Sequence, residues 1–132
     1  MARILLIDDD NSLRKVIAMA LTDAGHQVRQ AKDGSEGVAC FRAEQFDLVI
    51  TDLIMPKKEG IETITDLRRA CPGLPIIAIS GEQKNSELYL NLAKQIGATR
   101  TLLKPFEIAE LRRTIDEILT ETGATPPKSA PE

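Results

Sequence analysis

Short apolar runs of four to six residues alternate five times with amphipathic stretches of ten or more along this chain. That alternation is the pattern of βα units building a parallel sheet. Strands are predicted near 3–7, 27–31, 47–52, 75–80 and 100–103, and helices near 12–24, 35–45, 58–71, 84–96 and 106–121. The second strand is the least marked, resting on Val28 and Ala31 only. The first helix carries Leu13, Val16, Ile17, Ala20, Leu21 and Ala24 on one face, and the last carries Ile108, Leu111, Ile115, Ile118 and Leu119. Both have the spacing of a half-buried helix, so both faces are assigned to the core. Gly25 and Gly97 stand just past predicted helix ends, where a left-handed cap is wanted. The expected fold is α/β, a doubly wound parallel sheet of five strands in the order 2-1-3-4-5 with five helices.

A chain of 132 residues has room for one domain with one core, assigned here to 1–122. Residues 123–132, with three prolines, read as a disordered tail or a linker stub. Net charge is −3, with no basic patch of the kind nucleic acid requires, so no direct nucleic-acid contact is expected. No apolar run approaches the ~20 residues of a membrane span, and Met1-Ala2-Arg3 leads directly into a strand without a signal-peptide core. A cytoplasmic protein with no membrane contact is expected. Cys40 and Cys71 lack metal or CxxC spacing and read as buried or half-buried free thiols.

Polar residues stand directly after four of the short apolar runs: Asp8 and Asp9, Asp52, Ser80, and Lys104. A doubly wound sheet binds its ligands outside the carboxyl ends of its strands, so these residues converge. Asp8-Asp9-Asp10 and Asp52 crowd carboxylates together, and like charges ~4 Å apart repel by roughly 4 kcal/mol at an effective dielectric of 20. A hard divalent cation offsets that cost. Mg2+ suits Asp9 and Asp52, with or without Asp8 through a water, and a backbone carbonyl. Helix capping explains one acid, Asp10 or Asn11, but not the cluster. Ser80 and Lys104 alone could be a turn residue and a solvated side chain. Together with the acids they supply the hydroxyl and ammonium that phosphoryl oxygens require.

These motifs resemble those of response-regulator receiver domains, the phosphoacceptor modules of two-component signalling, over residues 2 to about 121. They are Ile-Leu-Leu-Ile-Asp8-Asp9-Asp10, Asp47-Leu-Val-Ile-Thr-Asp52-Leu-Ile-Met-Pro56, Ile79-Ser80-Gly81, and Gly97-Ala98 leading to Leu103-Lys104-Pro105-Phe106. The resemblance implies the flavodoxin-like receiver fold, a phosphorylated Asp52, and Mg2+ held by Asp8, Asp9, Asp52 and the Ile54 backbone carbonyl. It further implies a switch hydroxyl at Ser80 and a phosphoryl-binding Lys104. The switch position that is often aromatic in the family is Thr101 here. The implied donor is a phosphohistidine of a sensor kinase or phosphotransfer protein, docking on Leu13, Arg14 and Ile17 of the first helix and the loop after the fifth strand. The implied output is a downstream effector or a fused output domain, met by Leu88, Tyr89, Thr101, Arg112 and Arg113. Ile54 and Glu82 would flank the path of the hydrolytic water, and the Lys57-Lys58-Glu59-Gly60 turn would shape the acceptor loop. Such a domain catalyses only its own phosphorylation and dephosphorylation.

The rival reading is a phosphohydrolase of the haloacid-dehalogenase type, with Asp8 as nucleophile and Asp10 as general acid. That family needs a further acidic motif after its lysine, and usually a cap domain. A nucleotide or flavin binder lacks its glycine-rich loop, and a purely structural receiver would not need the full five-residue set. His26, the only histidine, reads as structural or solvent-exposed. Gly34-Ser-Glu-Gly37 reads as a helix start.

Overall fold

The central strands are apolar because both of their faces are covered. The structure, a computed structural model, describes residues 2–53, 60–81 and 86–121, apart from the side chains of Ser86 and Tyr89. Residues 123–132 lie outside it. Its elements are β1 (Arg3–Ile7), α1 (Asn11–Asp23), β2 (Gln27–Ala31), α2 (Gly34–Ala43), β3 (Leu48–Asp52), α3 (Gly60–Ala70), β4 (Ile76–Ser80), α4 (Ser86–Gln95), β5 (Arg100–Leu103) and α5 (Ile108–Glu121). The strands form one parallel sheet in the order β2-β1-β3-β4-β5, as expected.

Strand side chains alternate between two cores. Ile4, Leu6, Ile50, Ile77 and Ile79 pack with Ile17 and Leu21 of α1 and Leu111, Ile115 and Ile118 of α5. Leu5, Ile7, Val49, Ile76 and Ala78 pack on the other face with Val38 of α2, Ile64 and Leu67 of α3, and Ala93 of α4. β2 is an edge strand, so Gln27, Arg29 and Gln30 remain exposed and its apolar signal is weak. Its register with β1, Ile4 against Val28 and Ile7 against Ala31, nevertheless agrees with the predicted span.

Local chemistry sets the element ends. Asp10 caps α1 by accepting from the Leu13 amide at 3.1 Å. Asp33 caps α2 by accepting from Glu36 N at 2.8 Å, while Glu36 Oε1 reaches one residue beyond the cap and accepts from Lys32 N at 2.7 Å, and together they begin the helix at Gly34. Gly25 and Gly97 have φ of 101° and 123°, the left-handed caps that the sequence calls for. β3 starts one residue later than predicted because Asp47 is used otherwise: its carboxylate accepts from Arg3 N at 2.8 Å.

One expectation changes, and one open alternative resolves. Val16 is not core: it is 54% exposed, as is Met19 at 68%, whereas Ile17, Ala18 and Leu21 are buried. Consecutive helical residues diverge by about 100°, so the stripe centred on Ile17 and Leu21 leaves Val16 outside. Of the two readings of His26, structural or solvent-exposed, the buried side chain fits the first, and its Nδ1 lacks a hydrogen-bond partner among the described residues. Burial lowers its pKa, opposed by Asp116 and reinforced by the amino terminus and Arg112. Cys40 is buried and Cys71 half-buried, both free.

Arg68 of α3 ties together the turns at the end of the sheet opposite the strand carboxyl ends. It donates to the carbonyls of Cys71 at 3.3 Å, Pro72 at 2.7 Å and Gly97 at 2.5 Å. Hydrogen bonds made by a charged group carry more than the average. Arg68→Leu is expected to cost about 2 kcal/mol in urea unfolding; a loss below about 0.5 kcal/mol would mean water replaces the guanidinium.

Candidate functional site

Four of the five strands, β1, β3, β4 and β5, end at a candidate site residue on the same edge of the sheet, and the ladder fixes its backbone. Asp8 N donates to Ala31 O at 3.1 Å, Leu53 N to Ile79 O at 2.9 Å, and Lys104 N to Ser80 O at 2.7 Å. Asp52 closes β3, Ser80 closes β4, and Asp8 and Lys104 directly follow β1 and β5. The Lys104–Pro105 peptide is cis.

The side chains meet as the sequence predicts. Lys104 Nζ lies 3.3 Å from Asp8 Oδ2 and 3.6 Å from Asp52 Oδ2, joining residues 96 positions apart in the first case. Asp8 and Asp52 are buried, and Asp9 is exposed at the mouth. Asp8 Oδ1 accepts from Asp10 N at 3.0 Å, and Asp52 Oδ1 from Leu53 N at 2.9 Å. Burial, then the Asp8 charge, push the Asp52 carboxyl up to about 6, against the pull of Lys104 and the Leu53 amide. One ammonium does not neutralise two buried carboxylates.

One carboxylate oxygen from each of Asp8, Asp9 and Asp52 lies within 4.8 Å of the others. An all-oxygen, anionic donor set of this size suits a hard divalent cation, so the residues fit Mg2+. The Ser80 hydroxyl is buried with no hydrogen-bond partner among the described residues. An unpaired buried hydroxyl costs free energy until a ligand or rearrangement satisfies it. Thr101, half-buried, pairs with Ala78 in the same ladder that pairs Ser80 with Leu103. Ile54 and Glu82 lie outside the described residues, as do residues 57–59 of the predicted turn.

The structure redraws the face expected to dock a phosphodonor. Leu13 lines a cavity of about 400 Å³ with Gly81, Lys104, Pro105 and Phe106. Ile17, in contrast, is fully buried in the core. Arg14 is turned inward, donating to the Asp8 carbonyl at 2.8 Å. The exposed apolar residues of α1 are Val16 and Met19. On the expected output face, Leu88, Arg112 and Arg113 are exposed and Tyr89's side chain is outside the described set. Exposed Leu92 and Leu103 extend it, residues the sequence reading missed although Leu88 and Leu92 have the i, i+4 spacing of one helix face. The inward turn of Arg14 and the packing of Gly60 against Asp52 were also missed, and no local pattern announces either.

The haloacid-dehalogenase alternative loses its general acid, since Asp10 is occupied as the α1 cap. Comparison with known proteins agrees with the receiver reading. The chain is 32% identical over 122 residues to the transcriptional regulatory protein GlrR of Escherichia coli strain K12, covering 92% of this chain and 27% of that one. It is 35% identical over 130 residues to the DNA-binding transcriptional regulator NtrC of Azospirillum brasilense, covering 98% and 26%. It thus spans about a quarter of the length of these two relatives. A crystal structure of a CheY-like response regulator receiver domain protein from Methanospirillum hungatei JF-1 superposes with a TM-score of 0.88 at 28% identity, covering 93% and 97%. With acids, hydroxyl and ammonium at the strand ends of that fold, and with the response regulator receiver domain profile matching residues 4–116, the chain belongs to the response regulator receiver domain family.

Proposed function

We propose that this signalling domain accepts a phosphoryl group on Asp52 from a phosphohistidine of a sensor kinase or phosphotransfer protein, in a Mg2+-dependent reaction. The observation that carries the reading is the convergence of Asp52 with Lys104 and the Asp8–Asp9 pair at the strand ends. Asp52 Oδ1 is engaged by the Leu53 amide, whereas Oδ2 faces Lys104 at a distance too long for a hydrogen bond. Oδ2 therefore keeps its lone pairs for attack on phosphorus, forming the acyl phosphate as the bond from phosphorus to the imidazole nitrogen breaks. A carboxyl group held near 6 is mostly ionised at neutral pH, yet more basic than an ordinary aspartate. Bound to Asp9 and Asp52, with Asp8 nearby, Mg2+ would supply the positive charge that offsets crowding of phosphoryl oxygens against carboxylates. Lys104 is positioned to hold a phosphoryl oxygen, and the partnerless Ser80 hydroxyl to donate to another. Movement of Ser80 would bias β5, with Thr101, and the α4 and α5 surfaces toward a second state.

The donor would dock over Leu13 and the Pro105–Phe106 cavity, with Val16 and Met19 as apolar contacts. The recipient would be an effector protein or a fused output domain reading Leu88, Leu92, Leu103, Arg112 and Arg113. Such a partnership places the domain in the cytoplasm; no helix among the described residues is long and apolar enough to cross a membrane. Incubation with acetyl phosphate and Mg2+ is expected to add one base-labile phosphoryl group, read by intact mass. Asp9→Ala should weaken Mg2+ binding by at least about tenfold and slow the labelling while leaving far-UV circular dichroism unchanged. Unchanged Mg2+ affinity in that variant would put the metal elsewhere.

A further inference from the structure

Asp8 uses nearly every polar group it has. Its amide donates to Ala31 O at 3.1 Å, Oδ1 accepts from Asp10 N at 3.0 Å, and Oδ2 faces Lys104 at 3.3 Å. Its carbonyl is taken by Arg14, which doubles back from the first turns of α1: one terminal nitrogen, NH1, donates to Asp8 O at 2.8 Å, and Nε donates to Gln30 Oε1 on β2 at 3.1 Å. The guanidinium is a planar fork, so two bonds in different directions fix its position.

The bonded carbonyl belongs to the peptide unit that continues into Asp9. That unit is planar, so holding the Asp8 oxygen fixes the direction in which the Asp9 backbone departs. The Asp9 carboxylate is exposed and has no hydrogen bond of its own among the described residues, so its place at the mouth depends on its backbone. We infer that Arg14 is a positioning residue for the acidic pair: by clamping the peptide between Asp8 and Asp9 and anchoring it to Gln30, it sets how tightly the pocket takes a divalent cation. This rests on the metal site proposed above.

The sign of the effect separates positioning from charge. A cation beside an acidic pocket repels Mg2+, so if only charge mattered, removing it would tighten binding. Positioning predicts the reverse. Mg2+ is titrated into the full chain and followed by the backbone amide shifts of Asp9 and Asp10. Arg14→Met is expected to raise the Mg2+ Kd about tenfold and Gln30→Leu about threefold. Arg14→Lys should fall between wild type and Arg14→Met, because an ammonium reaches the Asp8 oxygen but cannot fork to Gln30. An unchanged or lower Kd in Arg14→Met overturns the inference. Should that variant fail to fold, wild-type Kd values in both Arg14→Lys and Gln30→Leu overturn it equally. A wild-type chain whose amides ignore Mg2+ refutes the metal site itself, whereas a wild-type response that survives unaltered in the variants refutes only the role of Arg14.

Discussion

Asp52→Asn is expected to abolish phosphoryl uptake and, at the same time, to stabilise the metal-free protein at neutral pH. The carboxyl is raised from its ordinary 3.8 to about 6, first by burial and then by Asp8. The folded state therefore binds a proton between those values that the unfolded state has released, and stability falls as pH rises through that window. Above about pH 6 the cost is complete. Two units, in which the attraction to Lys104 is already counted, correspond to about 3 kcal/mol. Asparagine keeps an oxygen for the Leu53 amide and carries no charge, so the gain expected at pH 7.5 is about 1–3 kcal/mol. Urea unfolding in the presence of a chelator should show the stability of wild type relative to Asp52→Asn falling between pH 4.5 and 7.5, the opposite contribution of buried His26 being common to both proteins. A variant less stable than wild type at pH 7.5 would mean that the Lys104 attraction outweighs burial. In the acetyl phosphate assay, labelling that survives Asp52→Asn and disappears in Asp8→Asn would move the nucleophile to Asp8.

Gly60→Ala should damage both stability and phosphorylation, although alanine is the better helix former. Gly60 opens α3, and its amide donates to Leu53 O at 2.8 Å, drawing the helix start against the end of β3. A Cβ there would sit 2.5 Å from Leu53 Cα and closer still to the Asp52 carbonyl oxygen. Both are backbone atoms that cannot rotate away. Either α3 retreats or the acceptor strand shifts, an overpacking cost of about 3 kcal/mol that should lower Tm by roughly 10 °C. Because the displaced backbone is that of Asp52, labelling by acetyl phosphate should slow more than the Tm loss explains. Gly73→Ala is the control, since a Cβ there meets nothing within 4 Å. A Gly60→Ala protein with wild-type Tm and labelling rate would show that the helix start yields freely.

The sheet was legible because strands buried on both faces must be apolar throughout, as β3 and β4 are. The same logic carried the site: once the strand order is known, the residue after each buried run falls at the carboxyl edge, so Asp8, Asp52, Ser80 and Lys104 could be grouped before any distance was known. Gly25 and Gly97 were legible too, since a cap depends on the local chain. By itself, then, the sequence determined the architecture and the membership of the acidic pocket, properties that follow from local periodicity and strand order. The tertiary structure alone decided how neighbours with the same chemistry divide their roles. Val16 and Ile17 are both β-branched and apolar, and only the placement of α1 against sheet and α5 exposes one and buries the other. Arg14 read as part of a docking face until the fold brought the Asp8 carbonyl and Gln30 within reach. Gly60 read as one residue of a turn shaping the acceptor loop, and only the packing of α3 on the Asp52 backbone singles it out as a position with no room for a side chain. The raised Asp52 pKa and the partnerless Ser80 hydroxyl arise the same way, because burial and distance between residues far apart in the chain exist only once it is packed.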